Sequence, residues 1–173
     1  LKCFLTPVTV SANNDSMTYN GSSYSGNNGY STSNPTAYAG FLGTLSYGGT
    51  SQDGPINTGN YSIIPSGLYD TRGQNGYDII YVNGSLTINP KAINLSGSRS
   101  YNGTTTVNNG IFSMSGLVGS QTLVLSGNGT VADKNVGVGK TVDTSGLTVT
   151  DGINGGLASN YTFSGGTQTA NIT

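Results

Sequence analysis

The chain has 173 residues, of which 34% are hydrophobic and 8% are charged, and its net charge at pH 7 is −1. This balance argues against intrinsic disorder, which combines low hydrophobicity with high net charge. A near-neutral chain also offers no electrostatic surface for nucleic acid. Its apolar runs are far shorter than the roughly 20 residues that span a bilayer. We therefore expect neither a nucleic-acid partner nor membrane insertion.

The ionisable side chains argue against catalysis. Histidine and glutamate are absent, and all seven acidic residues are aspartates. The chain therefore lacks the commonest general base and metal ligand, and its scattered aspartates form no glycosidase-type pair. The sequence predicts a protein that is not an enzyme and has no catalytic residue, cofactor or metal site. A calcium site in the loops at Asp53 or Asp151 stays open as an alternative.

The remaining composition indicates an all-β fold. Serine, threonine, asparagine and glycine dominate, and eleven tyrosines accompany many valines and isoleucines. This mixture favours strands joined by tight turns. Cys3 has no second cysteine with which to form a disulfide and only Lys2 as a charged neighbour, so we assign it no role.

In chain order, the first half opens with a β-like run beside a proline, Pro7-Val8-Thr9-Val10. A turn phrase, Tyr19-Asn20-Gly21-Ser22, follows it. The stretch from Asn34 to Ala39 combines a capping asparagine with a proline, which favours one helical turn.

The clearest local pattern surrounds Asn83-Gly84, which separates two alternating apolar runs. An Asn-Gly dipeptide supplies the two positive-φ positions of a type I′ turn. The sequence therefore predicts a β-hairpin whose structural turn is Asn83 and Gly84. This hairpin would pair Tyr81 with Leu86 and Ile79 with Ile88, with Ile80 and Val82 on the outer side.

The second half shows further strand patterns. Two of them, at 122–125 and 129–132, flank the turn-rich Ser126-Gly127-Asn128. Others are predicted at 140–144, 147–150, 161–164 and 169–173.

Two phrases recur at about the length of a small domain. Tyr19-Asn20-Gly21-Ser22 returns as Tyr101-Asn102-Gly103-Thr104, and Asn60-Tyr61-Ser62 returns as Asn160-Tyr161-Thr162. A β-helix would instead repeat about every 20 to 30 residues. The sequence therefore predicts two tandem small β-domains with sandwich-like or β-grasp-like sheets, arranged end to end as a rod segment. They would span 7–90 and 91–173, after a tail of a preceding segment at 1–6.

The residues resemble two bacterial domain families. The first half is similar to the MBG (mostly bacterial glycine-rich) domain in the stretches 43–47, 59–67 and 81–90. The second half is similar to the YDG domain in the stretches 101–106, 131–137, 139–142, 145–147 and 160–162. The tripeptide that gives that family its name is Tyr101-Asn102-Gly103 here, so asparagine replaces aspartate.

An MBG domain followed by a YDG domain is typical of filamentous haemagglutinin-like adhesins exported by two-partner secretion. The resemblance implies stalk modules that extend the tip of a large adhesin in cell adhesion or biofilm formation. It also implies a secreted, monomeric protein at the bacterial cell surface, associated with the outer membrane. Its partners would be neighbouring repeat modules of the same chain.

A carbohydrate-binding adhesin module is the alternative function. Tyr24, Tyr30, Tyr38 and Tyr47 lie in the least regular part of the first half, and tyrosine rings can stack on the sugars of a glycan or matrix polysaccharide. The competing interpretation is that these rings fill the core of a module that lacks tryptophan.

Two covalent modifications also stay open. An isopeptide crosslink would use Lys91, Lys134 or Lys140. Glycosylation would use Asn-X-Ser/Thr sequons, such as those that begin at Asn20, Asn83, Asn94, Asn102, Asn128 and Asn160.

Overall fold

The computed structural model describes residues 4–73 and 76–173. It confirms the predicted all-β fold class. The chain divides into two compact units. Unit 1 comprises the residues up to Met17 and Ser22–Asn89, and unit 2 comprises Thr18–Gly21 and Pro90–Thr173. The short segment Thr18–Gly21 therefore interrupts unit 1 in sequence but folds with unit 2.

The first half of the chain contains strands β1 (Thr6–Ala12), β2 (Asp15–Thr18), β3 (Tyr30–Thr32), β4 (Leu42–Gly48), β5 (Gly59–Tyr69), β6 (Tyr77–Val82) and β7 (Gly84–Asn89). One sheet has the order β3-β1-β6 and another the order β2-β7-β5-β4. Strand β1 is antiparallel to β3 and parallel to β6. The long strand β5 changes partner along its length, pairing first with β7 and then with β4.

The core of unit 1 follows from the alternation of its strands. Val8, Val10 and Ala12 are buried at every second position of β1, and Leu86 and Ile88 are buried in the same way on β7. Strand residues two apart lie on one face of a sheet, so each strand turns a single apolar face inward.

The predicted hairpin at Asn83-Gly84 is wrong. Strand β6 pairs with β1, whereas β7 pairs with β5 and β2, so the chain passes from one sheet into the other at Asn83. Neither Asn83 nor Gly84 has a positive φ. Glycine is required at position 84 for a different reason: a Cβ there would lie 2.7 Å from the carbonyl oxygens of both Ala12 and Asn13.

The assignment of residues to faces in this region is nevertheless correct. Ile80 and Val82 are exposed, whereas Leu86 and Ile88 are buried. The helical turn is also confirmed: α1 spans Pro35–Tyr38, and the Asn34 side chain accepts a hydrogen bond from the backbone nitrogen of Ala37 at 2.9 Å.

The second half contains strands β8 (Lys91–Ala92), β9 (Asn94–Arg99), β10 (Thr106–Asn108), β11 (Phe112–Ser115), β12 (Leu123–Val131), β13 (Gly137–Asp143), β14 (Leu147–Asp151), β15 (Tyr161–Thr162) and β16 (Gln168–Ile172). The main sheet has the order β10-β12-β13-β16-β9-β11, with β14 paired to β12, and β15 pairs with β8. Short 3-10 turns occur at Thr50–Asp53, Asn109–Ile111 and Ala158–Asn160.

The turn predicted at Ser126-Gly127-Asn128 is wrong, because β12 continues through it. The strand changes partner there: residues up to Gly127 pair with β14, and Asn128 begins the pairing with β10. The strands predicted at 140–144, 147–150 and 169–173 correspond to β13, β14 and β16. The strand predicted at 161–164 is confirmed only for Tyr161–Thr162, as β15.

The core of unit 2 is an aliphatic cluster drawn from several strands of the main sheet. Its buried members are Leu95, Val107, Val131, Val142, Leu147, Ala170 and Ile172. Half-buried aromatic rings of Phe112 and Phe163 pack against it. None of the helices in the described residues has the length and apolar character needed to cross a membrane.

Candidate functional site

The first candidate site is a row of aromatic rings in unit 1. The rings of Tyr30 and Tyr38 stack, with centroids 4.6 Å apart and planes 23° apart. Tyr38 meets Phe41 edge to face at 6.1 Å, and Phe41 meets Tyr77 in the same way at 5.9 Å. Helix α1 positions Tyr38 in this row. Tyr30, at one end, keeps 40% of its surface exposed.

An arginine completes the row at its other end. The guanidinium carbon of Arg72 lies 4.7 Å from the centroid of the Tyr77 ring. The Asp70 carboxylate orients this arginine by accepting a hydrogen bond from its Nε at 2.8 Å, and it also accepts one from the backbone nitrogen of Tyr77 at 2.7 Å. These contacts lower the pKa of Asp70. The sequence analysis missed Arg72, although the signal was available in the proximity of Asp70, Arg72 and Tyr77 in the chain.

The structure stacks two of the four predicted tyrosines, Tyr30 and Tyr38, on each other, and Tyr47 is near enough to interact with them electrostatically. Burial and a hydrogen bond with Tyr30 raise the pKa of Tyr38 to about 12. Burial also raises the pKa of Tyr47, and the neighbouring Tyr30 raises it further. Tyr38 and Tyr47 are therefore neutral near pH 7 and offer ring surface and hydroxyl groups, without acid–base chemistry.

Tyr24 lies at a different place in unit 1. Its hydroxyl donates a hydrogen bond to Oδ2 of Asp15 at 2.7 Å, and its backbone nitrogen donates to the carbonyl of Pro55. Burial and the Asp15 carboxylate raise the pKa of Tyr24 to about 12. Tyr24 thus fastens a loop to strand β2.

Two of the groups considered for metal binding or crosslinking, Asp151 and Lys140, have structural partners: Oδ1 of Asp151 accepts a hydrogen bond from the backbone nitrogen of Ala158 at 2.7 Å. Within residues 4–73 and 76–173, no three His, Cys, Asp or Glu side chains come together as a metal site would require. Lys140 forms a surface ion pair with Asp133, with Nζ and Oδ1 2.7 Å apart. Among the sequons, Asn160 is fully buried, whereas Asn83 and Asn128 are exposed.

Unit 2 has a second side-chain cluster, formed around Gln121. The rings of Tyr19 and Tyr161 meet edge to face with centroids 5.4 Å apart. The Gln121 amide bonds to both hydroxyls, through Nε2 to Tyr19 at 2.8 Å and through Oε1 to Tyr161 at 2.5 Å. The backbone nitrogen of Val118 donates to the Tyr161 hydroxyl at 3.0 Å. We call Val118, Gln121 and Tyr161 the tyrosine slot: Gln121 and Tyr161 contact Tyr19, which is 2% exposed, and Val118 donates to the Tyr161 hydroxyl.

A groove of about 340 Å³ runs along β12 and β13 in unit 2. It is lined by Thr130, Val131, Ala132, Thr141, Val142 and Asp143. With aliphatic and hydroxyl groups and a single carboxylate, this lining has no set of converging polar groups that would hold a small ligand.

The backbone places strands from opposite ends of each half side by side. In unit 1, β1 is parallel to β6 over six residue pairs, from Thr6–Tyr77 to Ser11–Val82. In unit 2, β9 is parallel to β16 over five pairs, from Leu95–Gln168 to Arg99–Ile172. The short strands β8 and β15, which precede β9 and β16, are parallel as well. We call these pairings the terminal-strand pairs.

The fold and these clusters define an all-β protein in which strand pairing and tyrosine contacts dominate. The chain belongs to the YDG domain family, whose model matches residues 84–170, half of the chain. The match begins at Gly84, the first residue of β7, and includes all of β8 to β15. No curated protein and no solved structure matches the chain.

Proposed function

We propose that the chain is a non-enzymatic, load-bearing spacer of a bacterial surface adhesin, secreted and displayed outside the cell. The observation that carries the proposal is the parallel pairing of the first and last long strands of the second half, β9 with β16. In the first half, β1 is parallel to β6, the strand that precedes the last strand β7. The resemblance of the first half to the MBG domain supports the adhesin context. Within an adhesin, the units would separate an adhesive tip from the cell surface and contact neighbouring modules of the same chain.

The direction of the terminal strands determines how each unit carries force. When a chain is pulled at its ends, the force is applied to the N-terminal end of the first strand and to the C-terminal end of the last strand. If these strands are parallel neighbours, the force acts along both of them, and their interstrand hydrogen bonds, which are evenly spaced, must break together. If the strands could peel apart from one end, the same bonds would break one at a time. Forced unfolding is governed by the unfolding rate, so shear loading gives a spacer the kinetic stability it needs outside the cell.

Single-molecule pulling of the full chain tests this proposal. We expect two separate unfolding events, one for each unit, with unit 2 unfolding at a force typical of shear. A chain that extends at low force without discrete events would contradict it.

The aromatic row supports sugar binding as a second candidate function. Tyr30 exposes ring surface at one end of the row, and the Arg72 guanidinium lies at the other end, where it could pair with a carboxylate. Such a site would suit an acidic glycan or matrix polysaccharide, since aromatic faces pack on sugar rings and guanidinium forks bind carboxylates.

A glycan array compares this second function with the first. Saturable binding that is lost in Tyr30→Ala and kept in Tyr69→Ala, a matched exposed tyrosine of unit 1, would support sugar binding. Absence of binding to any neutral or acidic glycan would leave the spacer function alone.

A further inference from the structure

The two Tyr-Asn-Gly loops occupy equivalent positions in their halves. Tyr19 follows β2, which lies beside β7, and Tyr101 follows β9, which lies beside β16. Each loop therefore follows a strand that pairs with the last strand of its half. Their glycines also have nearly equal φ values, 78° at Gly21 and 76° at Gly103. Left-handed φ values of this kind are those that glycine adopts without strain.

Tyr19 shows what such a loop can bind. Its ring fills the tyrosine slot of unit 2, and its hydroxyl bonds to the Gln121 amide. Gly21 is part of the fit, because a Cβ at that position would lie 2.6 Å from Cγ1 of Val118. The loop thus combines an aromatic ring, a hydroxyl group and a glycine that allows close approach of the backbone.

Tyr101 carries the same features, but it is exposed. Half of its surface is exposed, at 50%. A Cβ at Gly103 would meet nothing nearer than the Tyr101 hydroxyl at 4.0 Å, in contrast to the close approach at Gly21. Within residues 4–73 and 76–173, no ring contact involves Tyr101.

The exposed loop is nevertheless held in place. Arg99 donates from Nη1 to Oδ1 of Asn102 and from Nη2 to the carbonyl of Thr104, each at 2.6 Å. The backbone nitrogen of Tyr101 donates to the carbonyl of Thr173 at 2.7 Å, which fixes the loop beside the end of β16. A loop ordered in this way loses little entropy on binding, so an exposed tyrosine on it is well suited to recognition.

We propose that the Tyr101-Asn102-Gly103 loop is a docking element for another β-module that carries a slot like that of Val118, Gln121 and Tyr161. The partner would supply an aromatic edge, a primary amide that bonds to the Tyr101 hydroxyl, and an aliphatic side chain against Gly103. The inference is independent of the spacer function, because an array of sugar-binding modules would need the same recognition.

A slot with this chemistry is already present in the chain. Removing the Tyr19 side chain empties this slot, so that binding of the Tyr101 loop to it can be measured. The probe is an end-capped peptide with the sequence of residues 99–105, titrated to millimolar concentration into isotope-labelled full-length Tyr19→Ala protein. We expect saturable NMR shifts of the Val118 backbone amide and the Gln121 side-chain amide. A peptide with alanine in place of Tyr101 should give no shift, and the wild-type protein, whose slot is filled, should not respond.

A second peptide, with the sequence of residues 17–23, is the positive control for the vacated slot. If this peptide binds and the Tyr101 peptide does not, the proposal is rejected. If Tyr19→Ala fails to fold or binds neither peptide, a second experiment tests the proposal. It uses the full chain extended after Thr173 by a second copy of 90–173. In this extended chain, Tyr101→Ala should lower the melting temperature of the added unit by several degrees. The same substitution should leave the melting temperature of the unextended protein unchanged. Equal effects in both proteins would overturn the proposal.

Discussion

The guanidinium of Arg99 donates a hydrogen bond to Oδ1 of Asn102 at a distance of 2.6 Å. The same oxygen also accepts from the backbone nitrogen of Thr104 at 3.1 Å and from its hydroxyl at 2.9 Å. Every one of these contacts is made to an acceptor atom of residue 102. An aspartate, the residue that gives the YDG family its name, would satisfy the same donors and would add an ion pair with Arg99.

Asn102→Asp should therefore stabilise unit 2. A charge-assisted hydrogen bond is stronger than one to a neutral amide, but the site is exposed, so we expect a gain of about 0.5–1 kcal/mol. Thermal denaturation at low ionic strength measures it. The gain should shrink in about 1 M salt, where charges are screened within about 3 Å. Asn102→Ala is the matched control and should be destabilising. A loss of stability in Asn102→Asp would contradict the predicted ion pair with Arg99.

Gly84→Ala should destabilise unit 1 by about 2 kcal/mol or more. The new Cβ would lie 2.7 Å from the carbonyl oxygens of Ala12 and Asn13, and backbone atoms cannot move aside cheaply. Gly48→Ala is the matched control, because a Cβ there would approach nothing closer than the Ile64 carbonyl at 4.0 Å. Chemical denaturation compares the two. Similar free energies of unfolding for both variants would contradict the close approach at Gly84.

The region around Gly84 shows how far the sequence determines the fold. Alternation correctly predicted that Leu86 and Ile88 are buried and that Ile80 and Val82 are exposed, because strand periodicity fixes which face a side chain occupies. It does not fix which strand is the partner. An Asn-Gly dipeptide suits a tight turn, but it equally suits a strand that changes sheets where another backbone approaches.

The candidate sites show the same limit: the sequence does not fix which distant residues come into contact. The tyrosine-rich part of unit 1 was identified from composition, and Tyr30 and Tyr38 do meet. The separate location of Tyr24 could not be predicted, because it depends on a hydrogen bond to Asp15 that joins a loop to strand β2. Placing Tyr19 in the slot of unit 2 likewise needs a contact with Gln121, 102 residues away in the chain.

Unit 1 should lose stability as the pH rises from about 10 to 12. The pKa of Tyr24 is raised from 10.0 to about 12 by burial and by its hydrogen bond to Asp15. The folded state therefore keeps the phenol proton that the unfolded state releases, so this contribution is complete below pH 10 and disappears as the pH passes through 12. Unfolding monitored at stepped pH should show a shallower alkaline decline in Tyr24→Phe than in the wild type.

Tyr69→Phe is the control for this measurement, because Tyr69 is an exposed tyrosine of the same unit. It should leave the alkaline decline unchanged. An identical decline in the wild type and Tyr24→Phe would mean that the Tyr24–Asp15 hydrogen bond contributes nothing to stability.

The direction of pulling tests the load-bearing function most directly. One variant, Cys3→Ser with Asn94→Cys and Thr167→Cys, can be pulled either through its two ends or through the new cysteines. Asn94 and Thr167 are exposed and lie just before the paired residues Leu95 and Gln168, at the same end of the β9–β16 pair. Pulling through the ends loads that pair in shear, whereas pulling through the cysteines peels it from one end. We predict that unit 2 unfolds at a several-fold higher force when pulled through its ends, and equal forces in the two directions would contradict a spacer that relies on its terminal-strand pairs.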